Sequence, residues 1–132
     1  MQLILLAAGR GTRLPKKFRN KPKCLAELNN KPIIDYNLEF FSKFNDKYMI
    51  TGYKNNSLKK FCKKNKFKMI QNQNFKSTNM VYSMFLASKY IKKDVVICYG
   101  DIIFNSNVYS LLLEDNNIMP LNANWLQHWK KR

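Results

Sequence analysis

Apolar residues along this chain fall into short bursts of two kinds. Leu3-Ile4-Leu5-Leu6 is a continuous run ended by glycines, the pattern of a strand buried on both faces of a parallel sheet. After the turn Asn29-Asn30-Lys31, Pro32 can take the first position of a helix. Ile33, Tyr36, Phe40 and Phe44 then recur at helical spacing. Lys47–Thr51 reads as a second strand closed by Gly52, and Asn56 or Ser57 can cap a Lys-rich helix reaching about Asn65. The alternation repeats. Phe67–Gln71 is the next strand, Thr78 or Asn79 opens a helix to about Ile91, and Asp94–Tyr99 is a strand stopped by Gly100-Asp101. Ser106 is placed to cap one more helix through Leu113, with Ile118–Leu121 as a last apolar segment.

Successive βα units joined by short polar connections imply an α/β fold: a three-layer α/β/α sandwich with a mainly parallel, Rossmann-like sheet and right-handed crossovers. Ligands of such sheets bind beyond the carboxyl ends of the strands. That rule brings Ala8–Thr12, the segment after Gln71, and Gly100-Asp101 to one rim. No internal repeat and no Pro/Gly/Ser linker interrupts the 132 residues, so residues 1–132 are expected to form a single domain.

Charge narrows the partners only loosely. A formal net charge of +16 favours nucleotides, nucleic acid or an anionic membrane face. Lysine makes up 20 of the 24 basic residues and asparagine occurs 17 times, a bias that A/T-rich codons alone can produce. Seven lysines between Lys54 and Lys68 accompany Leu58, Phe61 and Cys62 at core-facing spacing, which suits a solvated helix face better than a nucleic-acid patch. Cys24, Cys62 and Cys98 are widely spaced, with His128 as the one histidine, so neither a disulfide framework nor a structural zinc site is expected. Cys98 lies in an apolar run and reads as a buried thiol. Met1–Ala8 is too short for a signal segment, and no stretch approaches the roughly 18 apolar residues of a membrane span. The expected location is the cytoplasm.

The chemistry begins directly after the first strand. In Ala7-Ala8-Gly9-Arg10-Gly11-Thr12-Arg13-Leu14, Gly9 and Gly11 permit unusual backbone angles and let N–H groups approach phosphate oxygens. Leu14 stands where a dinucleotide fingerprint needs its third glycine, and no GK[ST] follows as a P-loop requires. An ordinary strand-to-loop turn is the plain alternative. Arg13 and Lys23 lie ten residues apart on a loop stiffened by Pro15 and Pro22, and two cations delivered to one triphosphate are what phosphoryl chemistry needs.

Leu6–Leu14 followed by Lys21-Pro22-Lys23 resembles the signature of the nucleotidyltransferases that make sugar nucleotides and CDP-alcohols. Tyr99-Gly100-Asp101 is similar to that family's strand-end Gly-Asp. Ser77-Thr78-Asn79-Met80-Val81-Tyr82-Ser83 resembles the segment that reads base and ribose in the phosphocholine cytidylyltransferase branch, although Met80 replaces the usual second asparagine. The resemblance implies an NTP, CTP favoured, as donor, a small phosphorylated acceptor, and Mg²⁺ as cofactor. It places Ala7, Ala8, Gly9, Gly11, Thr12, Arg13, Lys23, Thr78, Asn79 and Ser83 on the nucleotide. Arg13 and the Gly9–Gly11 amides would hold the β and γ phosphates, Lys23 would act at the α phosphate, and Asp101 would ligate the metal. As plainer alternatives, Asp101 ends a strand and Asn79 caps a helix.

Family members are usually longer, so the resemblance also implies an incomplete domain, lacking a second metal-binding aspartate and much of the acceptor site. Glu114 and Asp115 match no family position. Trp125 and Trp129, four residues apart, would share one face of a helical turn. Such a pair ordinarily packs on the core; alternatively it is the acceptor-binding pair, with an indole caging a quaternary ammonium, and the tail's resemblance to the Trp-containing segment of phosphocholine cytidylyltransferases implies phosphocholine rather than a sugar 1-phosphate. Three readings therefore stand: an active or split nucleotidyltransferase, a catalytically weak nucleotide-binding remnant, and a basic nucleic-acid module. The last lacks the interleaved aromatic and basic pattern of a single-strand binder, and no specific nucleic-acid partner is expected.

Overall fold

The computed structural model describes residues 1–114 and 117–130, leaving Asp115, Asn116 and the last two residues, together with the His128 side chain, outside the described residues. Four parallel strands form the central sheet in the order β5-β4-β1-β6: β1 (Gln2–Ala7), β4 (Lys47–Thr51), β5 (Lys68–Gln71) and β6 (Val95–Tyr99). β1 sits between β4 and β6, with Leu5 opposite both Met49 and Cys98. Because β1 and β4 are covered on both faces, their central residues, Leu3–Leu6 and Tyr48–Ile50, are apolar without interruption.

The two faces carry separate clusters. On one, Leu3, Leu5, Met49, Val96 and Cys98 pack against α1 (Leu38–Ser42), α2 (Asn56–Lys64) and α4 (Ser106–Leu112) through Phe40, Phe41, Leu58, Cys62 and Tyr109. On the other, Ile4, Tyr48 and Ile50 meet Leu86 and Ala87, which follow α3 (Met80–Phe85). Helices thus flank the sheet on both sides, the expected three layers. Cys24, Cys62 and Cys98 are all buried free thiols of the first cluster. Burial lifts Cys24 and Cys98 to about 12 and Cys62 to about 11, and at Cys24 the nearby Asp101 charge adds to the effect.

Several elements depart from the sequence expectation. Asn29 and Asn30 both adopt positive φ, the geometry of a tight hairpin turn, so β2 (Glu27–Leu28) and β3 (Lys31–Pro32) pair as a small antiparallel ribbon. Pro32 therefore ends a strand, and Ile33–Asn37 winds as a 3₁₀ helix before α1. Its tighter winding moves the buried position from Ile33 to Ile34. The helix expected from residue 78 to 91 stops at Phe85 and is followed only by a 3₁₀ turn, Ser88–Tyr90. Beyond that turn Gln2 holds the chain: its amide donates to the Tyr90 carbonyl at 3.0 Å and accepts from the Lys92 N–H at 2.8 Å. α4 is capped by Asn105, whose side chain accepts from the Val108 N–H, and not by Ser106. Ile118–Leu121 has no regular structure and is exposed. α5 (Trp125–Lys130) is helical as expected, yet Trp125 is 60% and Trp129 64% exposed, so this pair is not core. No helix among the described residues is long and apolar enough to cross a membrane.

Candidate active site

A cavity of about 770 Å³ opens at the carboxyl ends of the strands. The loop after β1 forms one wall. Gly11 has φ +69°, a conformation side chains rarely adopt, and a Cβ there would come within 3.2 Å of the Lys23 stem. Glycine at this point lets Lys23 lie against the loop, and the Lys23 N–H reaches the Gly9 carbonyl at 3.4 Å. Pro15 and Pro22 each precede a 3₁₀ turn, and Lys23 is the first residue of the second. The Tyr53 hydroxyl and the Arg19 side chain tie the loop down, at 2.9 Å to the Arg19 carbonyl and 2.6 Å to the Leu14 carbonyl.

The end of β6 supplies the acid. A Cβ on Gly100 would sit 3.2 Å from the Cys24 Cβ, so the absence of a side chain lets the β6 end close onto the turn that carries Lys23. Asp101 then forms an ion pair with Lys23. Asn37, fully buried, secures the chain beyond Asp101: its amide donates to the Ile102 carbonyl at 2.6 Å and its oxygen accepts from the Tyr109 hydroxyl at 3.2 Å.

The third wall is built after β5. Asn72 is 1% exposed and donates to the hydroxyls of Thr78 and Ser83, each at 3.0 Å. Asn79 caps α3 by accepting from the Tyr82 N–H at 3.0 Å. Phe75 and Met80 line the same wall, and the Tyr99 hydroxyl touches the Met80 sulfur.

The cavity thus gathers Ala8, Gly9, Gly11, Thr12, Arg13 and Lys23 with Thr78, Asn79, Ser83, Asp101 and Trp129. Two sequence candidates lie elsewhere. Ala7 is a buried core residue, because the last position of β1 still points into the helix-covered face. Trp125 lies outside the lining, where one helix turn separates it from Trp129. Asn72, Phe75 and Asn37 escaped the sequence reading. For Asn72 a signal existed, since the segment after Gln71 falls on the binding rim. The bland and functional readings of Asn79 both hold geometrically: it caps the helix and lines the cavity.

Asp101 is the carboxylate in this cavity, and among the described residues no cluster of three metal-ligating side chains occurs. One hard oxygen donor beside an anion-binding loop suits Mg²⁺, which commonly takes one or two carboxylates and completes its shell with substrate phosphates and water.

Comparison with known proteins bears on the family and the fold. Over the whole chain it is 32% identical to the CTP:phosphoglutamine cytidylyltransferase of Campylobacter jejuni, of which it covers 56%. The structure of the CTP:phosphocholine cytidylyltransferase of Streptococcus pneumoniae matches 76% of this chain and 44% of its own, with 31% identity and a TM-score of 0.69. The inositol-1-phosphate CTP transferase of T. maritima, at 19% identity, shares the fold with a TM-score of 0.71 over 88% of this chain and 49% of that one. The chain spans about half the length of the curated relatives it matches. The model of the MobA-like NTP transferase domain matches residues 3–120, and it is to this family of nucleotidyltransferases that the chain belongs.

Proposed function

We propose that the cavity binds a nucleoside triphosphate, CTP favoured, together with Mg²⁺, and serves nucleotidyl transfer to a small phosphorylated acceptor. The observation that carries this reading is the meeting of Gly11, Arg13, Lys23 and Asp101 in one cavity at the strand ends. In the reaction an acceptor phosphate oxygen attacks the α phosphorus, a new P–O bond forms in line, and the bond to the departing pyrophosphate breaks. Catalysis by such a site is positioning and charge neutralisation, and a covalent nucleophile is not needed. Arg13 and the loop amides hold the terminal phosphates, and Lys23 meets the charge that grows at the α phosphate. Asp101 would hold the metal, which when bound supplies further neutralisation across the phosphates. With Asp101 engaged in holding the metal, Lys23 would be released from their ion pair to meet the phosphate.

Phosphocholine is the favoured acceptor, with Trp129 lining the cavity as the indole that would face a quaternary ammonium. The decisive experiment is pyrophosphate release from each NTP with Mg²⁺ and, in turn, phosphocholine, phosphoethanolamine, phosphoglutamine and glucose 1-phosphate. Release with CTP and phosphocholine supports the full reading. Release confined to another acceptor replaces the choline assignment, and triphosphate binding without release assigns the chain a nucleotide-binding role alone.

A further inference from the structure

We infer that Tyr53 is the positioning residue of the phosphate loop: it fastens the loop at its start, its crest and its far limb, and through Arg19 it sets the turn that carries Arg13. The inference rests on the triphosphate reading of the cavity.

From Gly9 to Lys21 no residue is buried, so hydrophobic packing does not fix the path of this segment and its few polar ties decide where it lies. Tyr53, just beyond β4, supplies three of them. Its N–H donates to the Ala8 carbonyl at 3.2 Å, one step past the last pair of the β1–β4 ladder, Ala7 opposite Thr51. Its hydroxyl donates to the Arg19 carbonyl at 2.9 Å, on the far limb of the loop. Its ring carries the Arg10 guanidinium 5.4 Å from the centroid. Arg10 is thereby held outside the cavity lining, whereas Arg13 lies within it. The ring in turn has a fixed seat. Phe75 packs beside it, with centroids 6.1 Å apart, and a Cβ on Gly52 would come within 2.7 Å of the Phe75 Cβ and 2.8 Å of the Ala8 carbonyl. Glycine at position 52 therefore lets Phe75 and the start of the loop close around Tyr53.

A continuous path of hydrogen bonds leads from the hydroxyl to Arg13. The Tyr53 bond fixes the Arg19 carbonyl, and the Arg19 Nε donates to the Leu14 carbonyl at 2.6 Å. The Leu14 N–H donates to the Gly11 carbonyl at 3.0 Å, closing the turn whose central residues are Thr12 and Arg13. Members of such a path act in series: once the Arg19 side chain is removed, the hydroxyl has no route to the turn. Tyr53 is absent from the cavity lining, so it acts on a phosphate only through the loop.

Calorimetry with inorganic tripolyphosphate and with CTP, each with Mg²⁺ at one fixed ionic strength, tests this. Tyr53→Phe keeps the ring and the N–H and should melt with the parent, yet bind both ligands about three- to tenfold more weakly, the loss of one hydrogen bond. Tyr53→Leu, which also frees Arg10, should bind more weakly still. Because the links are in series, adding Tyr53→Phe to Arg19→Ala should weaken binding by less than about twofold more. A merely structural tyrosine would instead lower the melting temperature and leave the affinity of the folded protein unchanged. Parent-like affinity in Tyr53→Phe, a Tyr53→Leu that binds no more weakly than Tyr53→Phe, or losses that multiply in the double variant overturns the inference and leaves the triphosphate reading standing. Failure of the parent to bind either ligand overturns both.

Discussion

Gly9 and Gly11 stand two residues apart in one loop, and their backbones differ. Gly11 has a positive φ, and an added Cβ would lie 2.9 Å from Leu14 Cδ1 and 3.2 Å from the Lys23 stem. Gly9 lacks positive φ, and a Cβ added there would meet no atom within 4 Å, so the unusual angles expected of both glycines occur only at Gly11. Gly11→Ala should therefore lose about 1–2 kcal/mol of stability in urea denaturation from backbone strain and weaken MgCTP binding by displacing Lys23. Gly9→Ala should stay within about 0.5 kcal/mol of the parent and still weaken MgCTP, because its methyl group occupies space an anion needs to reach the amide. Unchanged MgCTP affinity in Gly9→Ala would remove that amide from the phosphate site. For Lys23→Ala, calorimetry should show lost triphosphate affinity with an unchanged fold, since Lys23 lies outside both apolar clusters.

Among the elements, the strands were legible and the helices less so, for a physical reason. β1 and β4 are covered on both faces, which demands apolar residues at successive central positions, while β6 carries an equally unbroken run with Ile97 and Tyr99 exposed. Helix bounds turn on details that periodicity does not carry: a positive-φ asparagine pair makes Pro32 a strand residue, and Gln2, distant in sequence, holds the chain at Tyr90 in a non-helical path. The candidate site divides in the same way. Its phosphate loop is contiguous and therefore readable, whereas Asn72 matters through partners six and eleven residues away that only folding places together. Local rules do govern the caps. Asn105 accepts from the Val108 N–H at 3.2 Å, so Asn105→Ala should destabilise the protein by about 1 kcal/mol in urea denaturation, while Ser106→Ala should have little effect. The reverse ranking would restore Ser106 as the cap.

For the molecule as a whole, the three thiols on one face of the sheet tie stability to alkaline pH. From Lys47 to Lys93 there is no acidic residue, so the chain offers few carboxylates whose titration could dominate its pH dependence. Cys24, Cys62 and Cys98 all belong to the same buried cluster, and burial raises each above the ordinary thiol value of 9.0, to about 12, 11 and 12. Above pH 9 the unfolded chain releases these protons while the native state keeps them. Folding stability must then fall as pH rises, fully present below 9 and lost progressively toward 11–12. Each thiol contributes on the order of 1 kcal/mol per pH unit in that window. A chain of net charge +16 also sheds repulsion as its cations are neutralised at alkaline pH, which acts in the opposite sense and is common to parent and variants. Comparison of parent with single cysteine variants from pH 9 to 10 isolates the thiol contribution. Urea denaturation across that interval should show a falling stability in the parent and a shallower fall in each single variant Cys24→Ala, Cys62→Ala and Cys98→Ala, even though each variant is less stable at pH 7. If the variants fall as steeply as the parent, the thiols do not set the alkaline limit, and the source must lie among the tyrosines and lysines.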